Sequence, residues 1–356
     1  MPIASQAPDT DRLCRLLLIG DGKIGKTPYA GLAGEQGFNV LYLDGDVGGP
    51  TIASLPAKAK ENIYLMNVGD RLDGGVIGHH FVTFMTKFFG QTKVLWDDTN
   101  GNLLESKDDT SGIDVWEIFP AKLDYNWVLV IDSWTSLVQS CMLWSARANG
   151  VDLADATLAQ MREVYKGAGM KLTQFLVIIQ RIRCNVIVIA HPDEFVKMDK
   201  PEGVLLKNMK ETDLRIAWTK MIPKSSSKPH ALTMSKFFTD IAWMEANKAG
   251  TERRINMKLS DERVSGGHLN DMQTMEKFNF ARLVQAVDGR VPTQNAPHEP
   301  AVYIYPDGTY VKPTAAGKVL DGTKDSAVVV ADASKVPATS TKPVGLAALM
   351  AKNQAS

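Results

Sequence analysis

The chain has 356 residues, with 40 Lys and Arg against 40 Asp and Glu, so its formal net charge is zero. This balance excludes a histone-like polycation, although a basic face could still be offset by an acidic one. Hydrophobic residues make up 44% of the chain, which is typical of a globular protein, and the length allows one large domain with appendages.

The sequence indicates neither a disulfide framework, nor a zinc site, nor a membrane span. Cys14, Cys141 and Cys184 are far apart and form no CxxC pair. The apolar runs are much shorter than the ~20 residues that cross a bilayer, and the N-terminus has no apolar signal core. We therefore expect a cytoplasmic protein with no membrane partner.

The first predicted elements form a βαβ unit. After a flexible leader over residues 1–12, the apolar run Leu13–Ile19 predicts a strand. Lys26–Gln36 predicts a helix that Gly37 ends, and Val40–Leu43 predicts a second strand. Strand, loop, helix and strand in this order imply a parallel sheet.

Two later runs have the β-branched composition of strands covered on both faces, Trp127–Ile131 and Asn185–Ala190. Between them, Ala154–Arg183 predicts a long helix. Its apolar residues recur at helical spacing and are predicted to lie in the core; they are Leu158, Met161, Val164, Tyr165, Leu172, Phe175 and Ile179.

Other segments are less regular. Residues 47–125 are interpreted as an insertion between strands, and residues 195–236 lack clear periodicity. Residues 238–264 alternate in polarity and predict a hairpin that turns at residues 248–250.

The C-terminal part is predicted to be an extension followed by a tail. The extension covers residues 291–312, with a hairpin around Pro306-Asp307-Gly308. Residues 313–356 contain no Phe, Tyr, Trp or His and are rich in Ala, Lys, Thr, Ser and Val, which predicts a flexible tail.

The turn after the first strand fits the pattern G-x-x-x-x-G-K-[ST] at every fixed position. Glycines in such a loop let backbone N–H groups approach phosphate oxygens, and the following helix N-terminus adds positive potential. Lys26 would reach the β- and γ-phosphates of ATP, and the Thr27 hydroxyl would ligate Mg²⁺. The residues predicted to bind the nucleotide are Gly20, Asp21, Gly22, Lys23, Ile24, Gly25, Lys26, Thr27 and Pro28.

Polar residues follow three of the predicted strands. Asp132 ends the run Val128–Ile131 and is assigned to Mg²⁺ together with Thr27. Since Ser133 follows it, a catalytic carboxylate must come from elsewhere. Asp44 and Asp46, after the second strand, are the candidates to orient the attacking water, and His191, after the third, would sense the γ-phosphate.

Together these segments resemble the RecA/Rad-type recombinase ATPase core, and most of all phage-encoded RecA-like ATPases of the Sak type. The resemblance covers about residues 13–265 and is carried by Leu41–Asp46, Val130–Leu137 and Val186–His191. It implies an α/β fold, that of a RecA-like P-loop NTPase, with a mostly parallel central sheet flanked by helices over residues 13–290. It also implies that the catalytic carboxylate is Asp46.

The resemblance implies an ATPase that acts on single-stranded DNA in recombination or annealing, as a ring or filament of identical subunits in a bacterial or phage-infected cytosol. The tail would then be free to contact a replication or annealing partner. DNA contacts would fall in residues 195–236, and residues 196–258 do hold 13 Lys and Arg against 7 Asp and Glu. The candidate DNA contacts are Lys207, Lys210, Lys220, Lys224 and Lys228.

A positive residue that acts across the subunit interface is also expected of this class. The candidates for this trans-acting finger are Arg253, Arg254, Lys258 and Arg263.

Two other functions fit parts of the sequence. A ParA/Mrp-like partition or assembly ATPase would also have carboxylates after its second strand, but its signature lysine would fall at position 21, which is Asp21. A nucleotide-gated interaction protein with little turnover would not depend on Asp46.

Overall fold

The structure is a computed structural model, and it describes residues 13–46, 48–73, 76–104, 113–199, 215–247, 252–258, 263–268, 272–274, 279–288 and 300–306. The predicted leader, the predicted tail, Lys207 and Lys210 lie outside the described residues. The chain divides into two compact units, one formed by Met1–Phe89 with Leu123–Ala296 and the other by Gly90–Lys122 with Pro297–Ser356.

In chain order the strands and helices are β1 (Arg15–Ile19), α1 (Lys26–Gly31), β2 (Asn39–Asp44), α2 (Gly49–Ala53), α3 (Ala57–Lys60), β3 (Ile63–Asn67), β4 (Leu72–Asp73), β5 (Val76–Ile77), α4 (His80–Gly90), β6 (Val94–Asp97), β7 (Asn102–Leu104), β8 (Val115–Ile118), β9 (Trp127–Asp132), α5 (Trp134–Ala148), α6 (Leu158–Arg181), β10 (Asn185–Ala190), β11 (Pro192–Asp199), β12 (Arg215–Pro223), α7 (Lys228–Met234), β13 (Asp240–Ala246), β14 (Arg253–Asn256), β15 (Met272–Thr274), α8 (Phe280–Asp288) and β16 (Val302–Tyr305).

The larger unit is built around an eight-stranded sheet in the order β15-β14-β13-β1-β10-β9-β2-β3. The strands from β13 to β3 pair in parallel, whereas β14 and β15 are antiparallel additions on one side. Because the six parallel strands point the same way, their carboxyl ends meet at one edge of the sheet. The predicted α/β fold with a mostly parallel central sheet flanked by helices is confirmed.

The core explains why these strands read as continuous apolar runs. Strands β1, β9 and β10 are buried along their whole length. On one face of the sheet, Tyr29 and Ala33 from the segment after the glycine-rich turn and Phe280 from α8 join the cluster that contains Leu16 and Val130. Helices α5 and α6 pack against each other, and α5 also packs against β10.

The predicted long helix needs two corrections. It begins at Leu158 and not at Ala154, because Thr157 forms a capping box with Gln160. Leu158 and Tyr165 are 82% and 42% exposed, so the prediction that they are core residues is wrong. The buried residues of α6 begin only at Val164, the seventh residue of the helix.

The segment 47–125, interpreted as an insertion, contributes to both units. Strand β3 pairs in parallel with β2 and is therefore an outer strand of the central sheet, which was not predicted from the sequence. Strands β6, β7 and β8 belong instead to the smaller unit. A short alternating run such as β3 gives a weak local signal, because its pairing depends on a partner far away in the sequence.

The smaller unit contains a four-stranded antiparallel sheet in the order β16-β8-β6-β7. Strand β16 pairs with β8, and the hairpin predicted around Pro306-Asp307-Gly308 stays a prediction, because residues beyond Pro306 lie outside the described residues. Glu117 on β8 accepts hydrogen bonds from Lys93 at 2.6 Å and from the Tyr305 hydroxyl at 3.1 Å. Side-chain contacts therefore tie this C-terminal strand to its sheet.

The antiparallel strand pair of the hairpin predicted over residues 238–264 is present as β13 and β14, which pair from Trp243↔Asn256 to Ala246↔Arg253, while the predicted turn at residues 248–250 lies outside the described residues. The described parts of the segment 195–236 are regular, because β11 and β12 form a two-stranded antiparallel ribbon and α7 follows, whereas residues 200–214 lie outside the described residues. In the part of the chain that the structure describes, no helix has both the length and the apolar character to cross a membrane.

Candidate nucleotide site

The glycine-rich turn Gly20–Gly25, the P-loop, connects β1 to α1 at the carboxyl edge of the sheet. Lys23 and Gly25 have positive φ angles of 61° and 104°, which fold the chain back around its own backbone. Lys26 is 6% exposed, and its ammonium group donates to the carbonyl oxygens of Gly20 at 2.7 Å and Asp21 at 2.6 Å. The lysine therefore points into the loop that would surround a phosphate.

The ammonium group of Lys26 is buried and lies near three carboxylates, and its burial and these carboxylates act on its pKa in opposite directions. Burial lowers the pKa of Lys26, and the carboxylates of Asp132, Asp21 and Asp46 act in the opposite direction. A phosphate bound in the loop would add negative charge next to this amine and favour its protonated form.

Thr27 and Asp132, the two predicted magnesium ligands, are in direct contact. The Thr27 hydroxyl donates to Oδ2 of Asp132 at 2.7 Å, and Asp132 is only 3% exposed. Burial raises the pKa of Asp132, although hydrogen bonds from Tyr42 and Thr27 oppose this effect. A hydroxyl and a carboxylate next to a phosphate-binding loop are the donor set that a nucleotide-bound Mg²⁺ uses, so these residues fit the ion.

Tyr42 is a site residue that was not predicted from the sequence. Its hydroxyl donates to the same Oδ2 atom of Asp132 at 2.5 Å, and the residue is fully buried in β2. In the sequence it is one more residue of an apolar strand. Only the alignment of β2 beside β9, which pairs Tyr42 with Val130, brings the phenol to the carboxylate two residues farther along.

Asp44 and Asp46, the two candidates for the catalytic carboxylate, have different environments. Asp44 is 1% exposed and accepts hydrogen bonds from the backbone N–H groups of Asp46 at 3.1 Å and Gly48 at 2.8 Å. Burial raises the pKa of Asp44 to about 6. Asp44 therefore holds the turn that follows β2 through hydrogen bonds to the backbone.

Asp46 contacts residues that follow two other strands, Ser136 after β9 and His191 after β10. The Ser136 hydroxyl donates to its Oδ1, and His191 Nε2 lies 3.6 Å from its Oδ2. Burial acts to raise the pKa of Asp46, but the side chains of His191, Ser133 and Ser136 outweigh it and lower that pKa. An ionised carboxylate beside an imidazole can orient a water molecule and accept its proton.

The structure thus brings together, at one edge of the sheet, side chains from the start of α1 and from the ends of β2, β9 and β10. They are Lys26, Thr27, Asp132, Asp46 and His191. Among the described residues, no group of three or more His, Cys, Asp or Glu could hold a metal ion. The arrangement combines a cation in a phosphate-sized loop, a hydroxyl beside a carboxylate, and a second carboxylate beside an imidazole.

The four candidates for the trans-acting finger have three different environments. Arg254 pairs with Glu252 at 2.9 Å, and Arg263 pairs with Glu245. Lys258 is exposed. Arg253 lies against the P-loop of its own chain, where a methyl group built on Gly25 would be 2.6 Å from its Nη1 atom.

The described candidates for DNA contact lie at the ribbon or next to it. Lys220 is half-buried on β12, and Lys224 is exposed where that strand ends. Lys228 forms an ion pair of 2.6 Å with Asp193 at the start of β11. The Lys224 N–H donates to the His191 carbonyl oxygen at 2.8 Å, so the first residue of the ribbon and its last meet beside His191.

Comparison with known protein families gives a match to the family AAA_24, described as an AAA domain, over residues 13–217. This span is more than half of the chain and includes the P-loop, Asp132 and His191. No curated protein is significantly similar to the chain.

Among the solved structures that align with the chain are a recombinase and an ATPase domain. One is described as the crystal structure of the RadB recombinase, with 15% identity, a TM-score of 0.32, and coverage of 74% of this chain and 87% of that one. The other is described as an ATPase domain, with 10% identity, a TM-score of 0.30, and coverage of 74% and 80%. Both TM-scores are below 0.5, so the assignment of the fold rests on the strand order.

Proposed function

The chain belongs to the AAA_24 family of AAA domains, and on that premise we propose that it is a Mg²⁺-dependent ATPase that acts on single-stranded DNA in recombination or annealing. The family membership and the P-loop support the ATPase. The proposal that the protein acts on DNA is supported mainly by the position of the β11–β12 ribbon, which begins and ends beside His191. His191 in turn contacts the candidate catalytic carboxylate Asp46.

The residues have distinct roles in this proposal. The P-loop backbone and Lys26 bind the phosphates, and Thr27 and Asp132 hold the magnesium ion, which neutralises phosphate charge when it is bound. Asp46 orients the attacking water and accepts its proton, because its lowered pKa keeps it ionised. His191 contacts this carboxylate and continues directly into the ribbon.

The ribbon supplies the proposed link between hydrolysis and DNA. A change in the charge or hydrogen bonding of Asp46 alters its contact with His191 at 3.6 Å. Since the two strands of the ribbon start and end beside His191, a shift of this residue moves the ribbon. Lysines at its base, such as Lys220 and Lys224, are placed to contact DNA phosphates.

A homo-oligomer completes the proposal. Arg254 and Arg263 have carboxylate partners in their own chain, whereas Lys258 is exposed just beyond the end of β14. We therefore assign the role of a finger that reaches the neighbouring subunit's nucleotide to Lys258. Whether the assembly is a ring or a filament is measured by sedimentation with and without nucleotide.

The test is ATP hydrolysis with and without single-stranded DNA at low salt. We expect stimulation by DNA that weakens as salt rises, because released counterions make phosphate contacts salt-dependent. The double variant Lys220→Gln, Lys224→Gln should lose most of the stimulation, measured as the ratio of the two rates. Lys58→Gln, at an exposed lysine on α3 outside the segment 195–236, is the matched control and should keep the stimulation.

The outcomes separate the two parts of the proposal. Hydrolysis without any stimulation at low salt contradicts the DNA target and leaves the ATPase. Tight ATP binding without hydrolysis contradicts the enzyme and favours a nucleotide-gated interaction protein.

A further inference from the structure

Arg253 is the first residue of β14 and lies at the P-loop edge of the sheet. It pairs with Ala246, the last residue of β13, and β13 runs parallel to β1, the strand that leads into the P-loop. Gly20, at the start of this loop, packs on the same strand, because a methyl group built there would be 2.8 Å from the Met244 carbonyl oxygen. Strands β13 and β14 therefore form the wall on one side of the loop.

The guanidinium of Arg253 rests on the backbone of Gly25. A methyl group built on Gly25 would lie 2.6 Å from Nη1, 3.2 Å from Cζ and 3.3 Å from Cδ of Arg253. Gly25 also has a φ of 104°, which disfavours other residues. The glycine that the loop needs for its conformation thus also provides the space in which the arginine lies.

The charge of Arg253 is not balanced by a carboxylate in the part of the chain that the structure describes. The nearby acids Glu252 and Glu245 pair with Arg254 and Arg263, and Arg253 forms no ion pair among the described residues. Lys26 is a second cation in the same loop. An anion bound in the loop would be attracted by both cations.

A guanidinium suits a phosphate in particular. Its planar fork donates two parallel hydrogen bonds to phosphate oxygens, and it stays charged at every physiological pH. Arg253 is exposed, so its side chain can move from the glycine towards a bound ligand without breaking an ion pair that the structure describes.

We propose that Arg253 is a nucleotide-binding residue that acts in cis, pairing with the polyphosphate of the nucleoside triphosphate in the P-loop of its own chain. This inference rests on the proposed nucleotide binding and specifies it. It gives Arg253 a role different from the trans-acting finger that the sequence suggested. Phosphate is therefore bound from two sides, by Lys26 inside the loop and by Arg253 above Gly25.

The first test is the dissociation constant of ADP and of a non-hydrolysable ATP analogue, measured by calorimetry on the full chain. Arg253→Gln should weaken both about 10-fold to 100-fold, the usual effect of losing hydrogen bonds to a charged group. The dissociation constants of Arg253→Lys should lie between those of the unchanged chain and those of Arg253→Gln, because lysine keeps the positive charge and lacks the planar guanidinium. Arg183→Gln, an exposed arginine that precedes β10 at the opposite edge of the sheet, should change the constant less than about twofold.

The second test separates cis from trans. Lys26→Ala and Arg253→Gln chains are mixed, and tight nucleotide binding is measured in the mixed assembly. If Arg253 acts in cis, no site in the mixture has both Lys26 and Arg253. The amount of tightly bound nucleotide then equals the sum of the amounts that the two variants bind when they are measured separately. Restored tight binding would mean that one subunit supplies Arg253 to another, and it would overturn the proposal.

The outcomes also separate this inference from the proposed function. If the unchanged chain binds no nucleotide, the proposed function fails. If it binds, and Arg253→Gln binds equally well with an unfolding midpoint like that of the unchanged chain, only the role of Arg253 fails.

Discussion

The two sides of the P-loop differ in charge and in burial. On the side of β9 and β2, the carboxylates of Asp132 and Asp44 are almost fully buried and each accepts hydrogen bonds. On the side of β14, Arg253 is exposed and has no ion pair among the described residues. The acidic side is thus already fixed by hydrogen bonds within the fold, whereas in our proposal the charge of Arg253 is paired only when a nucleotide binds.

This difference follows from the cost of burying charge. A buried carboxylate is destabilising unless hydrogen bonds compensate it, so Asp132 and Asp44 require the donors of Tyr42, Thr27 and Gly48. An exposed guanidinium stays hydrated, so it lowers the free energy of unfolding very little. We therefore expect the conformation of the acidic side to change little on nucleotide binding, and the side chain of Arg253 on the basic side to move.

The largest expected effect comes from Lys26, which lies between the two sides. Lys26→Ala removes the buried cation and should weaken nucleotide binding by more than about 100-fold, because a buried charge-assisted contact is lost. Calorimetry with ADP measures this. An unchanged dissociation constant would refute the assignment of the P-loop and with it the comparison of its two sides.

Asp46→Asn should affect hydrolysis and not binding. Removing a general base typically lowers the rate about 100-fold or more, while the nucleotide affinity should change less than about threefold. Single-turnover hydrolysis and calorimetry measure the two quantities. Glu163→Gln, an exposed carboxylate on α6, is the control. An unchanged hydrolysis rate would assign the protein to the nucleotide-gated class with little turnover.

Asp44→Asn tests how much the buried carboxylate of Asp44 lowers the free energy of unfolding. Because the folded-state pKa of Asp44 is raised to about 6, this group lowers the free energy of unfolding as the pH rises from about 4 to 6, and the loss persists above that range. The shift corresponds to up to about 3 kcal/mol. Denaturant unfolding at pH 4.5 and 7.5 should show that the Asn variant loses less stability between these pH values. Equal losses in both proteins would contradict the prediction.

The smallest effect is expected from Tyr42→Phe, which removes one donor to Asp132 and keeps the packing of the ring. Loss of this hydrogen bond should cost about 1 kcal/mol, or about fivefold, in the apparent affinity for Mg²⁺. The nucleotide affinity without Mg²⁺ should stay the same, which distinguishes a positioning role from a general loss of structure. A titration of Mg²⁺ at fixed ATP measures the affinity for the ion, and calorimetry with ATP in the absence of Mg²⁺ measures the affinity for the nucleotide. If nucleotide binding were weakened equally with and without the ion, the proposed role of Tyr42 in positioning Asp132 would be contradicted.

The candidate site could be predicted in part because some of its residues carry local signals. The P-loop has fixed residues at fixed spacing, and Asp132 follows a continuous apolar run. His191 follows another such run. Strand ends of a parallel sheet meet at one edge, so these residues were expected to lie together, and they do.

The errors and omissions have a common origin. Leu158 and Tyr165 have helical spacing, but spacing cannot show where the packing surface of α6 begins. Strand β3 could not be recognised as a sheet strand, since its partner β2 lies beyond a turn and two short helices. Tyr42 has no motif at all.

The parallel α/β fold, the P-loop with Lys26 and Thr27, and the acid at position 132 could be predicted before the structure was known, because each depends on residues that are close in the chain. The structure was needed to show that Tyr42 contacts Asp132, that Asp44 accepts hydrogen bonds from the backbone, and that Arg253 lies on Gly25. These contacts depend on strand order. The pairing of Leu16 with Asp240 brings together residues more than two hundred positions apart, and no local pattern specifies it.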